Sequence, residues 1–287
     1  MPSLRELRRR IRSIENTAKV THAMEMIAAS KMRKAQGAVL SGRPYAEKIQ
    51  EVIANLEAQQ DAVELVHPLL ERRNVQDVTL IHFTPDRGLC GGLHGNLNRA
   101  VAEFILSKKG SSVQVIAVGR KGRDFIVRTG LNLKAEFTNM GDQLKVSDIL
   151  PLSQMVLDEY SSVSTDEVYI AYPRFVSMAV QRPTIERVIP VDPSDLPYEA
   201  KVGYIYEPDP MGVLNVLLPR YIEMQIYHGL LELNASEQSA RMVAMRNATD
   251  SANEMVDDLT LELNKVRQAS ITNELLDIIA GTIALKG

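Results

Sequence analysis

The segment with the composition of a chemical site is Asp86-Arg-Gly-Leu-Cys-Gly-Gly92. It sits between an apolar run, Val78 to Phe83, and an amphipathic stretch that opens at Gly92. At such a strand-to-helix junction, backbone N–H groups can hold an anion. The spacing matches neither G-x-x-x-x-G-K-[ST] nor G-x-G-x-x-G, and no phosphate-loop lysine follows the glycines. A tight turn that needs glycine geometry accounts for the same residues. Cys90 would be a nucleophile only with a nearby base, and His82 and His94 are the local histidines. Gly119-Arg-Lys-Gly122 is a second glycine turn carrying cations that could touch phosphate, and it also reads as an ordinary turn. The five histidines, at 22, 67, 82, 94 and 228, show no metal-ligand spacing. None of these segments matches a known catalytic, metal or cofactor motif, and for each the ordinary structural reading stands beside the chemical one.

Composition narrows the function classes further. The chain has 287 residues, a net charge of −3, and 24% charged and 45% hydrophobic residues, the balance of an ordinary globular protein. No global basic field points to nucleic acid or an anionic membrane. One cysteine excludes an intrachain disulfide framework. No run approaches the ~20 apolar residues of a membrane span. The basic start, Met1 to Arg10, lacks an apolar run and a cleavage site, and Glu6 and Glu15 sit among its arginines; a helix is expected to begin at once, with no leader.

The elements that must position these residues fall into regions of different texture. From Ser3 to about Gln60, Leu4, Leu7, Ile11, Ile14 and Ala18 repeat at the 3-4 spacing of a coiled coil. The seam then continues less regularly through Val20, Met24, Ile27 and Ala28, with a bend expected at Gly42 and Pro44. Between Asn74 and Pro190, strands are expected at Val78–Phe83, Val113–Val118, Glu167–Tyr172 and Thr184–Ile189. Helices are expected at Gly92–Leu106, Lys121–Thr129 and from an N-cap at Ser147 to about Tyr160. This alternation predicts an α/β fold with a mostly parallel sheet. Residues 191–209 read as an irregular connection.

A final helix is expected over 210–287, with Asp209 as N-cap and Pro210 in its first turn. Its expected seam is Met245, Ala248, Ala252, Met255, Leu259, Leu263 and Val266, with a kink or restart at Pro219. Terminal helices of residues 1–60 and 210–287 that flank one α/β domain must run antiparallel if they pair. Charge favours the pair: residues 1–34 carry nine Lys/Arg against three Asp/Glu, and residues 232–262 carry seven Asp/Glu against two Arg. Both runs are equally what solvated helix faces would show, because exposed ion pairs contribute only ~0–1 kcal/mol each. Met24 to Lys34 is rich in Met, Ala and cations, and Arg267 to Glu274 is polar on every face; such helices need partners or water along their length.

Five segments in order carry a resemblance: Lys19 to Lys34, Asp86 to Gly92, Tyr206-Glu-Pro-Asp-Pro210, Ala235-Ser-Glu-Gln238 with Arg241-Met-Val-Ala-Met245, and Arg267-Gln-Ala-Ser-Ile-Thr272. With these the chain resembles the gamma-chain family of rotary ATP synthases over nearly its whole length. The resemblance implies a long antiparallel coiled coil of the N- and C-terminal helices flanking a Rossmann-like α/β domain. It implies a non-catalytic rotor shaft inside a ring of three alpha and three beta subunits, with a foot on the epsilon subunit and the membrane c-ring. It places Arg8, Arg9, Met24, Arg267, Gln268 and Thr272 against beta subunits, and Tyr204, Tyr206, Glu207 and Asp209 at the foot. It implies no nucleic acid, no cofactor, and peripheral association with the cytoplasmic face of a bacterial plasma membrane through the complex. The family's chloroplast members carry an inserted dithiol switch, so a single cysteine implies the bacterial type. Two other classes remain open: an enzyme using the Asp86–Gly92 loop, and a coiled-coil adaptor or nucleic-acid binder using the basic first 34 residues.

Overall fold

Ser3 starts helix α1, Leu4–Ala58, by accepting the Glu6 N–H at 3.2 Å. Asp209 does the same for helix α5, Pro210–Ala284, taking the Gly212 N–H at 2.8 Å while Pro210 occupies a turn that needs no donor. The computed structural model describes residues 3–58, 67–141, 144–192, 206–207 and 209–284. Neither Pro44 nor Pro219 ends its helix, so the expected restart at Pro219 does not occur. Leu214, Leu218, Ile222 and Ile226 are all at most 2% exposed on either side of Pro219. Their burial holds the helix through a residue that withholds one N–H.

The chain divides into two compact units, one of residues 1–28 with 242–287 and one of residues 29–241. The first is an antiparallel helix pair: Thr21 meets Thr249, and further along α1 Glu25 meets Arg246 further back on α5. Leu7, Ala18, Glu25 and Ala28 are buried on α1, and Met242, Met245 and Ala252 on α5.

The second unit holds a five-stranded sheet in the order β3-β2-β1-β4-β5. Its strands are β1 (Asp77–Phe83), β2 (Ser112–Val118), β3 (Leu133–Phe137), β4 (Glu167–Phe175) and β5 (Gln181–Ile189). All neighbours are parallel except β4 and β5. Helices α2 (Leu93–Ser107), α3 (Arg120–Thr129) and α4 (Val146–Ser161) connect the first four strands in turn. β1 is buried along nearly its whole length, as a central parallel strand covered on both faces must be. One face packs Ile81, Phe83, Ile116 and Ile170 against Ile49 and Ile53 of α1, Val156 of α4 and Leu218, Ile222 and Ile226 of α5. On the other, Leu80 and Ala171 meet Leu97 and Val101 of α2. Helix α4 begins one residue before the expected cap: Asp148, not Ser147, accepts the Lys145 N–H, at 2.8 Å. Strand β3 was not expected from the sequence. Lys134 and Glu136 interrupt its apolar character, which an edge strand paired only to β2 tolerates.

Candidate interaction surface on the paired helices

In the helix pair, the buried and half-buried positions of α1 include Leu7, Ile11, Ile14, Ala18, Thr21, Glu25 and Ala28, alternating steps of three and four. The same step continues through Met32, Ala35 and Val39. The seam is therefore regular, and the expected passage through Val20, Met24 and Ile27 is wrong: these are 54%, 37% and 56% exposed. Two polar residues occupy core positions, so an apolar tally steps onto the outer face. On α5 the seam likewise runs Met242, Met245, Thr249, Ala252, Val256, Leu259, Leu263, Val266. Thr249 lies half-buried next to the expected Ala248, itself half-buried, and Val256 takes the place expected for Met255, which is 56% exposed.

The polar layer is internally satisfied. The Thr21 and Thr249 hydroxyls lie 2.7 Å apart. Arg246 Nε donates to Glu25 Oε1 at 2.9 Å, and His22 Nδ1 lies 3.3 Å from Glu25 Oε2. The Arg246 bond holds the Glu25 carboxyl below its ordinary range, against the opposing effect of burial, with His22 adding in the same direction. This cross-helix ion pair has the reverse polarity of the charge runs: the acid comes from the basic helix and the base from the acidic one. Composition biases the pairing of the helices, whereas the contact itself depends on two residues against that trend.

The outer surface carries the residues assigned by resemblance to beta subunits. Arg8, Arg9, Met24, Arg267, Gln268 and Thr272 are exposed, all in the helix-pair unit. Residues 271–281 are exposed on every face, with Ile271, Leu275, Leu276, Ile278 and Ile279 at 50–66%. Thr272 donates back to the Gln268 carbonyl at 2.9 Å, so its hydroxyl is turned along the helix. In the α/β unit Tyr206 is half-buried against the main core, and Glu207 and Asp209 are exposed. Tyr204, with most of the connection 191–209, lies outside the described residues.

The Gly119–Gly122 turn is closed by the chain's own groups. Gly119 has φ +93°, and a Cβ there would fall onto the Thr84 carbonyl oxygen. Thr84 Oγ1 accepts the Gly122 N–H at 2.7 Å and lies 3.1 Å from the Val118 carbonyl, to which it donates. Asp86 accepts the N–H groups of Arg120 and Asn139, both at 3.0 Å. The start of α3, where an anion would bind, thus already holds a carboxylate. Cys90 is 1% exposed, and burial raises its thiol pKa; its Sγ lies 3.8 Å from His94 Nδ1, and burial and then Lys121 lower the His94 pKa. A thiol kept protonated beside a neutral imidazole is a poor nucleophile. His82 lies fully buried beneath Gly122, and burial lowers its pKa to about 3.

A family model described as ATP synthase matches residues 3–285. The ATP synthase gamma chain of Dehalococcoides mccartyi is 55% identical over 285 residues, covering 99% of this chain and 100% of the relative. The chain belongs to the ATP synthase gamma chain family. Two solved structures share the fold of this family member at low identity. The rotor of the Euglena gracilis mitochondrial ATP synthase matches with a TM-score of 0.62 at 16% identity, over 93% of this chain and 98% of that one. The central stalk and c-ring structure of the Tetrahymena thermophila mitochondrial enzyme contains a chain matching with a TM-score of 0.59 at 23% identity, over 80% of this chain and 99% of that one. Reading the sequence alone missed Thr21, Glu25, Arg246 and Thr249. Extending the 3-4 step of Leu7 to Ala18 without regard to polarity would have found the two on α1.

Proposed function

We propose that this chain is the non-catalytic central-stalk rotor subunit of an ATP synthase. It transmits torque between a proton-driven c-ring and three catalytic beta subunits, and so couples proton flow to ATP synthesis. Identity of 55% along the whole length of a named gamma chain carries this reading. Two long paired helices suit a part that resists twisting, and Asp86 and Thr84 already fill the start of α3, one of the two turns where a phosphate could sit. Arg8, Arg9, Met24, Arg267, Gln268 and Thr272 would face beta subunits in a ring shared with alpha subunits. Tyr204, Tyr206, Glu207 and Asp209 would form the foot toward the epsilon subunit and the c-ring.

No helix among the described residues is long and apolar enough to cross a membrane. Attachment to the cytoplasmic face of a bacterial membrane would then pass through the complex. Mixing the purified chain with purified alpha and beta subunits tests the reading. The expected result is one copy retained per ring of three alpha and three beta subunits, with ATP hydrolysis appearing only when the ring is present. Hydrolysis by the chain alone, lost in Cys90→Ser or Arg87→Ala, would replace the rotor with an enzyme built on the glycine loop.

A further inference from the structure

Strand β4 outlasts its neighbour. Its ladder with β1 ends at the His82–Ala171 pair, whereas its pairing with β5 continues to Phe175. Alternate backbone groups on the β1 side of residues 173–175 therefore have no strand to bond. A buried backbone donor or acceptor left in that state is destabilising. Helix α5 supplies the missing partners. Ser236 Oγ donates to the Pro173 carbonyl at 2.7 Å, and Glu232 Oε2 accepts the Phe175 N–H at 2.7 Å. Just past the strand, Ser239 Oγ donates to the Met178 carbonyl at 2.9 Å.

Residues 232, 236 and 239 are spaced by four and three, so they form one stripe on α5. Glu232 is 6% exposed, and Ser236 and Ser239 are fully buried. Gly229, one turn earlier, lets the helix approach: a Cβ there would meet the Phe83 ring at 3.2 Å. Two further bonds flank the stripe. Tyr227 donates its hydroxyl to the Leu144 carbonyl at 3.0 Å, and Arg241 donates to the Gly88 carbonyl at 3.3 Å.

Apolar packing is non-directional and sets a helix's angle about its axis only through shape. Bonds to fixed backbone atoms add a directional restraint. We propose that Glu232, Ser236 and Ser239 are positioning residues that key helix α5 to the free end of strand β4. A twisting load on the α/β unit then enters α5 as rotation rather than slip. The inference rests on the rotor reading and assigns the place where that rotor takes up its load. It also gives a role to Ser236 of the Ala235–Gln238 segment, which by itself suggested none.

The test uses the assembled complex in membrane vesicles, with ATP-driven proton pumping against an opposing gradient, unloaded ATP hydrolysis, and single-molecule torsional stiffness of the rotor. Ser236→Ala/Ser239→Ala removes two bonds at small change in volume. Glu232→Leu removes the third, and Glu232→Gln keeps an acceptor for the Phe175 N–H. The expected result is wild-type unloaded hydrolysis in all of them. Stiffness and protons pumped per ATP should fall at least about twofold in the double variant and in Glu232→Leu, with Glu232→Gln at wild-type values. Wild-type stiffness and pumping in both bond-removing variants overturn the proposal. So does an equal loss in Glu232→Gln, or failure of the double variant to assemble, which would make the bonds a requirement of folding. A wild-type chain that assembles but never couples hydrolysis to pumping would instead remove the rotor reading itself.

Discussion

Gly119 shows why a turn can look like a site and be none. Its φ of +93° lies where side chains are strained, and the Thr84 carbonyl fills the space a Cβ would need. The glycine is there so that β2 can pass into α3 directly against the end of β1. Asp86 then ties the loop to Arg120 and Asn139. Glycine-rich composition was legible in the sequence. That the chain's own carboxylate occupies the helix start was not, because Asp86 lies 34 residues from the N–H it caps. Gly119→Ala is expected to destabilise the α/β unit by about 3 kcal/mol, combining backbone strain with a clash against backbone. Denaturant unfolding of the whole chain measures it. A loss below about 0.5 kcal/mol, the range of neutral surface changes, would contradict this account of the turn.

Among elements, the instructive case is α1. Its seam keeps the 3-4 step without a slip, yet Thr21 and Glu25 stand at core positions. A polar group in a coiled-coil seam lowers stability but selects one register, since any shift leaves it unpaired. Here the partners are Thr249 and Arg246. Arg246 remains 59% exposed, so solvent screens the pair, and a Glu25→Gln/Arg246→Gln cycle is expected to give a coupling of about 1 kcal/mol at neutral pH. The pH dependence has a definite sign. Glu25 titrates below its ordinary value in the folded chain, so its contribution is present above the ordinary glutamate range. It is lost as pH falls through the lowered folded value. Glu25→Gln should therefore cost stability at neutral pH and nothing in strong acid, as followed by helix unfolding. A cost independent of pH would deny the carboxylate its role.

Across the molecule, burial is uneven. Strands β1, β2 and β4 hold a core of fully covered Leu, Ile and Val, while residues 271–281 have no covered face. Hydrogen exchange in the isolated chain should be slow at Leu80, Ile81, Ile116 and Ile170 and fast through 271–281. On assembly with alpha and beta subunits, 271–281 should become protected, as the surface of a shaft enclosed by partners would. Unchanged exchange there after assembly would argue that this end of α5 touches nothing.

The sequence alone determined the periodic elements and the family. Apolar runs located four of the five strands and the helices between them, and the 3-4 step marked the two ends of the chain as coiled-coil helices. Five ordered segments, confirmed by full-length identity, assigned the chain to the gamma chains. These signals are local, carried by neighbours a few residues apart. Only the tertiary structure decided which polar residues are structural. Thr21 with Thr249, Glu232 with Phe175 and Ser236 with Pro173 join positions 57 to 228 residues apart. A hydroxyl or carboxylate reads as surface until the fold brings it an unpaired backbone group or a facing side chain. The physical reason is desolvation: a buried polar atom must find a partner, and which partner it finds depends on the packing of distant elements.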